Sequence, residues 1–127
     1  MSVQRRAIHI PGIAHGPGRP AGSQIGNTIV SATLSGRNAD GVMSPDPSEQ
    51  MRELFLTMVR FLEAAGASVD NVIRVNITVA KGEYRELMNV EWAKYFNDDE
   101  SLPTRIATVA PLRGELIAEL DLMAVTG

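Results

Sequence analysis

Residues 102–109 read Leu-Pro-Thr-Arg-Ile-Ala-Thr-Val, and residues 116–123 read Leu-Ile-Ala-Glu-Leu-Asp-Leu-Met. Both runs are typical of short strands, and Pro111–Gly114 between them is typical of a tight turn. We therefore predict two adjacent strands, about Arg105–Val109 and Leu116–Val125. They carry one guanidinium, Arg105, and one carboxylate, Glu119, the minimum needed to hold a small acid and activate water beside it.

The final strand alternates, so it also predicts what lies on each face of the sheet. One side is fully apolar, and the other mixes apolar with charged residues. Two amphipathic helices cover only one face of a sheet of this size, which leaves the mixed face bare. Such a face suits a subunit interface with a polar pocket, or else it is a solvated face with a few hydrophobic residues. The apolar side holds Leu116, Ala118, Leu120, Leu122 and Ala124, and the mixed side holds Ile117, Glu119, Asp121, Met123 and Val125.

The two helices are predicted from periodicity and from their ends. Asp46-Pro47-Ser48-Glu49 resembles a capping box with proline at the first helical position, and Gly66 is a stop signal. A second helix runs from about Tyr84 to Phe96. Apolar residues of the first helix recur at helical spacing, which indicates one buried face: Met51, Leu54, Phe55, Met58, Leu62 and Ala65.

The remaining segments complete the order strand, strand, helix, strand, helix, strand, strand. The Gly- and Pro-rich stretch Pro11–Gly22 predicts an irregular loop, and Asn27–Leu34 predicts a strand. Between the helices, Asn71–Ala80 alternates strictly, so Ile73, Val75, Ile77 and Val79 are expected on one face.

Composition limits the class of protein. The 127 residues, 44% hydrophobic and 21% charged, predict one globular domain over residues 1–127. A net charge of −3 and few aromatic residues give no reason to expect a nucleic-acid partner. The chain has no cysteine, no apolar leader segment and no run long enough to span a membrane, so a cytoplasmic location without a membrane partner is expected.

Neither a metal site nor a nucleotide-binding motif is predicted. His9 and His15 are spaced i,i+6 without a nearby acidic residue, which matches no common metal site. The glycines at 12, 16, 18 and 22 follow no strand and precede no helix, so they do not form a dinucleotide fingerprint. We expect no cofactor and no metal.

Several motifs in this order resemble the Rid (YjgF) family of reactive-intermediate enamine/imine deaminases. They are the Pro103-x-Arg105 start of the penultimate strand, the Ile-x-Glu-x-Asp pattern of the last strand, Gly26-Asn27, Ala64-Ala65-Gly66 and Asn89. The resemblance extends from about residue 5 to residue 125.

The resemblance implies a fold, an assembly and a reaction. The fold would be α+β and chorismate-mutase-like, with ferredoxin-like topology and both helices on one face of a mixed sheet. Three chains would form a homotrimer with pockets between subunits. Arg105 would bind the carboxylate of a small 2-imino acid and Glu119 would position or activate water, as in a deaminase of the 2-iminobutanoate/2-iminopropanoate type. Asn89 matches an asparagine near the pocket in relatives.

The residue types suit this chemistry without the resemblance. A guanidinium matches a carboxylate with two parallel hydrogen bonds and stays charged at any relevant pH. An enamine tautomerises in water to an electrophilic imine, so the protein needs only to position substrate and water and to move protons. Asp121 shares a face with Glu119, and we expect a structural role for it.

The chain also departs from the family pattern, which indicates a divergent pocket. Gly18 stands where many members have a pocket tyrosine, Ala32-Thr33-Leu34 replaces Ser-Gly-Gln, and Ala107 replaces a cysteine. Thr33, Ala107 and Asn89 are therefore candidate substrate-binding residues. Arg19 and His15 are candidates to supply polar groups in place of the tyrosine hydroxyl. A changed substrate or a reduced deaminase activity would follow.

Three functions remain open. The first is hydrolysis of a small 2-imino acid, or of a catabolic intermediate such as an aminomuconate-like acid. The second is a non-catalytic regulator that binds small acids in the same trimer pockets. The third, an endoribonuclease or translation inhibitor, is disfavoured by the acidic charge and the lack of a basic stripe.

Overall fold

The computed structural model describes residues 4–13 and 16–127, whose backbone forms one seven-stranded mixed sheet with two helices on one face. The predicted α+β class is confirmed. The strand order is β1-β2-β3-β7-β5-β6, with β4 also paired to β7. The strands are β1 (Arg5–Ile8), β2 (Gly22–Ile25), β3 (Thr28–Ser31), β4 (Leu34–Ser35), β5 (Val72–Val79), β6 (Thr104–Val109) and β7 (Ala118–Val125), and the helices are α1 (Pro47–Ala64) and α2 (Arg85–Tyr95).

The two C-terminal strands are not neighbours, so the predicted adjacency is wrong. β5 lies between them, parallel to β6 and antiparallel to β7. A parallel pair requires a crossover connection, and α2 supplies one between β5 and β6. After β6 the chain passes β5, and β7 pairs with the opposite edge of β5. Strand β6 therefore lies at the edge of the sheet.

Helix α1 covers the centre of the sheet with the face that periodicity predicted. All six predicted apolar positions are buried. The helix ends before Gly66, whose φ of +76° lies in the left-handed region that glycine adopts readily. Close approach of the helix to β2 requires Gly22, since a Cβ there would overlap the ring of Phe61 and the carbonyl oxygen of Val30.

The predicted capping box at the start of α1 does not form. Asp46 makes no side-chain capping hydrogen bond, although Pro47 is the first helical residue as expected. Glu49 does not reach back to the cap, because its carboxylate accepts a hydrogen bond from the Ser44 hydroxyl at 3.1 Å and lies 3.6 Å from Arg52. The hydrogen bond between Ser44 and Glu49 therefore links the preceding loop to the first turn of the helix.

A β-bulge interrupts the predicted alternation of β5. Val72 pairs with Ala124 and Arg74 with Met123, so Ile73 is the extra residue and is 47% exposed. Val75, Ile77 and Val79 are buried as predicted, but the prediction for Ile73 is wrong. Val72 occupies the core position instead.

The bulge implies that Ile73 contributes less to the stability of the fold than the buried isoleucine of the same strand. Ile73→Ala is expected to lower the free energy of unfolding by less than about 1 kcal/mol, because about half of the residue stays exposed to water. Ile77→Ala is the matched control: it removes the same atoms from a side chain that is 1% exposed, at a cost of about 2–5 kcal/mol. Urea unfolding of both variants measures the difference, and equal losses would contradict the observed register.

The segment before β7 also differs from prediction. The strand begins at Ala118 rather than Leu116, and Ile117, expected on the bare face, is buried. Gln50 explains this, because its buried amide accepts a hydrogen bond from the Ile117 amide at 2.8 Å and donates one to the carbonyl of Glu115 at 3.1 Å. The segment is therefore held against α1, and the Ile117 carbonyl accepts a hydrogen bond from the Ala80 amide at 2.8 Å just past the end of β5.

The N-terminal half contains more strand than predicted. Gly22, placed at the end of a loop, begins β2, which forms a hairpin with β3 through Gly26-Asn27. Gly26 has a φ of +57°, as the first position of a type II′ turn requires. The predicted strand Asn27–Leu34 is divided into β3 and β4, and both pair with β7.

Candidate functional site

Arg105 lies on the helix-covered face at the outer edge of the sheet. It is in register with Val75, whose side chain is buried beneath the helices, so both residues point to the same face. Its Nη1 donates a hydrogen bond to Oδ1 of Asn89 at 3.0 Å. Its Cζ also lies over the ring of Trp92, 5.0 Å from the centroid. An exposed side chain on an edge strand is thus held by two contacts to α2.

Helix α2 supplies both residues that contact Arg105, namely Asn89 and Trp92. Asn89 and Trp92 are three residues apart, so they share one helical face. The Trp92 ring packs on Phe96, with centroids 4.5 Å apart, and Phe96 is buried. On the same helix Tyr95 stacks on Phe55, and burial, with a further contribution from Glu91, raises the pKa of its hydroxyl. The contact between Trp92 and Phe96 therefore fixes the side chain of α2 that packs on Arg105.

No carboxylate neutralises Arg105 among the residues that the structure describes. The ion pairs found there are Arg52–Glu49, Arg60–Glu53 and Lys94–Glu91. Asn89 takes one N–H of the guanidinium, which leaves the other donors available. Arg105 is therefore an oriented, exposed cation suited to bind an external carboxylate.

Glu119 lies on the open face of the sheet, as predicted. It is in register with Ser35 of β4 on one side and Thr78 of β5 on the other, and its side chain is half-buried. Two residues further along β7, Asp121 accepts a hydrogen bond from Nδ2 of Asn76 at 2.8 Å. Asp121 is thus engaged in a cross-strand contact.

Arg105 and Glu119 do not meet within one chain. They lie on opposite faces of the sheet, two strands apart and displaced by three residues, since Arg105 is in register with Val75 and Glu119 with Thr78. Strand spacing and rise place their Cα atoms roughly 14 Å apart. One small acid cannot contact both side chains in the same chain.

The other predicted site residues fall into different groups. Ala107 is half-buried on β6 and shares the face of Arg105, two residues away. Thr33 is exposed just before β4, the strand that pairs with Glu119. Arg19 lines a cavity of about 510 Å³ with His9, beside the β1 end of the sheet and far from β6. His15 lies outside the described residues.

The open face carries apolar side chains as well as Glu119. Val30 on β3 is 45% exposed and Ile106 on β6 is 48% exposed, with the half-buried Met123 on β7 between them. Register places Val30 beside Met123, and Ile106 beside Asn76. The predicted mixture of apolar and polar residues on the bare face is present.

No group of three or more His, Asp or Glu residues within 4–13 and 16–127 is arranged to hold a metal ion. Neither α1 nor α2 is long and apolar enough to cross a membrane.

Trp92 is the contact of Arg105 that sequence reasoning missed. The sequence contains a signal, because Trp92 follows Asn89 at i,i+3 and is the chain's one tryptophan. That spacing predicts a shared helical face, but it does not show which strand residue the face contacts. Only the parallel pairing of β5 and β6 places Arg105 there.

The fold and these sequence features agree with a known family. Residues 20–126 match the family model described as endoribonuclease L-PSP. The chain therefore belongs to this family, which includes the YjgF, Rid and RutC proteins, and the predicted resemblance is confirmed. A RutC family protein of Pyrococcus horikoshii is 31% identical over 84 residues, and the alignment covers 65% of this chain and 65% of that protein.

Solved structures show the same fold. YEO7 of yeast superposes with a TM-score of 0.86 at 20% identity, covering 98% of this chain and 100% of that one. YjgF of Escherichia coli gives 0.83 at 21% identity, covering 96% and 99%. TdcF of E. coli, solved with bound serine, gives 0.82 at 23% identity, also covering 96% and 99%. At these identities the likeness concerns the fold.

Proposed function

We propose that this protein hydrolyses a small 2-imino carboxylic acid to the 2-oxo acid and ammonia. The observation that carries the proposal is Arg105, an exposed guanidinium oriented by Asn89 and Trp92 without a carboxylate partner in the described chain. The resemblance to the Rid (YjgF) deaminases, which belong to the family that the chain matches, supports the same class of reaction. The serine bound to the TdcF relative also has a carboxylate, the group that Arg105 would hold.

The site would be assembled from two copies of the chain. Arg105 and Glu119 are too far apart in one copy, and the open face that carries Glu119 also exposes Val30 and Ile106. Packing of this face against a second copy would bury the apolar side chains. A homotrimer, as the family resemblance implies, would bring Glu119, Thr33 and Arg19 of one subunit toward Arg105 of another.

The chemistry requires only these groups and water. Arg105 fixes the substrate carboxylate, which places the adjacent imine carbon. Glu119 accepts one proton from water as the water oxygen bonds to the carbon of the protonated imine, and the C=N bond becomes a C–N single bond to a neutral amine. Glu119 then gives this proton to the amine nitrogen, and the C–N bond breaks to release ammonia. The hydroxyl group loses its remaining proton to Glu119 as the carbonyl forms. Each atom is accounted for by imine, water, oxo acid and ammonia.

The wild-type protein tests the proposal directly. A serine dehydratase generates 2-aminoacrylate in solution, and the appearance of pyruvate is followed with and without the protein. We expect the protein to accelerate the decay in proportion to its concentration. A series of imino acids with longer side chains would locate the preferred substrate, since Gly18 and Ala107 are smaller than the tyrosine and cysteine of many relatives.

A non-catalytic acid-binding function is the second candidate, and one observation favours it. The acid-binding group, Arg105 with Asn89, is complete within one chain, whereas Glu119 lies on the other face. A wild type that binds 2-oxobutanoate but leaves imine decay unchanged across the series would establish this candidate. Cleavage of RNA that persists in Arg105→Ala and Glu119→Gln would instead support the ribonuclease function.

A further inference from the structure

We propose that Trp92 is a positioning residue that holds Arg105 ready to bind the substrate carboxylate. This role rests on the proposed function, because it takes Arg105 as the acid-binding group. Trp92 acts through Arg105 and is not placed in contact with substrate.

The Trp92 ring contacts both the guanidinium of Arg105 and the ring of Phe96. Cζ of Arg105 lies 5.0 Å from the Trp92 centroid, within the range of a cation–π interaction. The ring itself is held by Phe96, which is 8% exposed, at a centroid distance of 4.5 Å and an interplanar angle of 46°. Phe96 is part of the hydrophobic core, so its contact restrains the Trp92 ring. The Trp92 ring in turn restrains the exposed side chain of Arg105.

Arg105 needs such support because of its position. β6 is the edge strand, and its residues are exposed except for the half-buried Ala107. A free arginine there would sample many rotamers, and binding would have to order them. Asn89 holds one N–H and Trp92 holds the face of the guanidinium, which leaves the remaining in-plane donors for a carboxylate. Preorganisation of this kind strengthens binding without a new ligand contact.

Substitutions of Trp92 separate this role from simple packing. Trp92→Leu in the full chain is expected to raise the KM for the imino acid and the Kd for 2-oxobutanoate by about three- to tenfold, with kcat within about twofold of the wild type. Trp92→Phe keeps an aromatic face and is expected to recover most of the affinity. Calorimetric titration with 2-oxobutanoate measures Kd in each variant.

Tyr95→Leu is the matched control. It removes a half-buried aromatic ring from the same helix, where Tyr95 stacks on Phe55, whereas the contacts found for Arg105 are with Asn89 and Trp92. We expect Tyr95→Leu to lower the melting temperature and to leave Kd for 2-oxobutanoate unchanged. Equal loss of affinity in Tyr95→Leu and Trp92→Leu would overturn the positioning role, as would a Trp92→Phe variant no tighter than Trp92→Leu.

The tryptophan also reports on the contact without any substrate. Because Trp92 is the one tryptophan of the chain, the tryptophan fluorescence of the protein comes from this residue alone. Arg105→Gln is expected to change this emission in the ligand-free protein, and 2-oxobutanoate is expected to change it in the wild type only. Unchanged emission in ligand-free Arg105→Gln would overturn the inferred contact.

The outcomes distinguish this inference from the proposed function. A wild type that binds 2-oxobutanoate, loses affinity on Trp92→Leu and does not accelerate imine decay would support the positioning role and refute the deaminase. Acceleration of decay with unchanged KM in Trp92→Leu would support the deaminase and refute the positioning role. A wild type that binds no 2-oxo acid would refute the positioning role.

Discussion

Arg105→Ala is expected to lower the affinity for 2-oxo acids and the kcat/KM for 2-imino acids by about 100- to 1000-fold. A bidentate guanidinium–carboxylate contact contains two charge-assisted hydrogen bonds, and their removal is expected to cost about 3–4 kcal/mol. The side chain is exposed, so the fold is expected to be retained. Calorimetric titration and steady-state kinetics measure both effects.

Two other variants define what the loss of affinity means. Arg105→Lys keeps the positive charge but not the planar fork, so an intermediate loss is expected. Arg85→Ala removes an exposed arginine at the start of α2 and is expected to leave binding unchanged. If Arg105→Ala bound 2-oxobutanoate as tightly as the wild type, the acid-binding site would have to lie elsewhere.

Glu119→Gln is expected to lower kcat by about 100- to 10,000-fold, the usual contribution of a positioned general base. Glutamine keeps the size of the side chain and its hydrogen-bonding capacity, but it cannot accept the proton from water. Binding of 2-oxobutanoate should persist within a few-fold, because Arg105 is unchanged. Single-turnover decay of 2-aminoacrylate measures the chemical step.

Glu115→Gln is the matched control for this substitution. Glu115 is an exposed carboxylate in the turn before β7, and its backbone carbonyl accepts a hydrogen bond from Gln50 that the substitution leaves in place. It is expected to leave kcat unchanged. A Glu119→Gln variant with wild-type kcat would show that another group moves the proton, and sedimentation of each variant would show whether its assembly is intact.

Periodicity predicted the helices and the faces of β7 because burial against one core imposes a regular spacing on the sequence. Leu120, Leu122 and Ala124 are buried, while Glu119 and Asp121 lie on the open face, as alternation indicated. Arg105 and Asn89 were both predicted as candidate site residues. The structure joins them by a hydrogen bond, although the sequence patterns that pointed to Arg105 and to Asn89 lie on different elements.

Long-range pairing was not predictable from the same patterns. Sequential strands often pair, which made β6 and β7 look adjacent, but the insertion of β5 depends on contacts between distant residues. The same insertion separates Arg105 from Glu119 by two strands. The bulge at Ile73 and the burial of Ile117 by Gln50 likewise depend on tertiary partners that local spacing does not reveal.

The distance between Arg105 and Glu119 bears on how such proteins diversify. Side chains about 14 Å apart on opposite faces of a sheet share few neighbours, so substitutions around one leave the geometry of the other nearly unchanged. Under the proposed function, residues near Glu119 and Thr33 can therefore change to accommodate another substrate side chain while Arg105 continues to bind the acid group. The resemblance to the family fits this expectation, because Arg105 matches the family pattern while Gly18 and Thr33 depart from it.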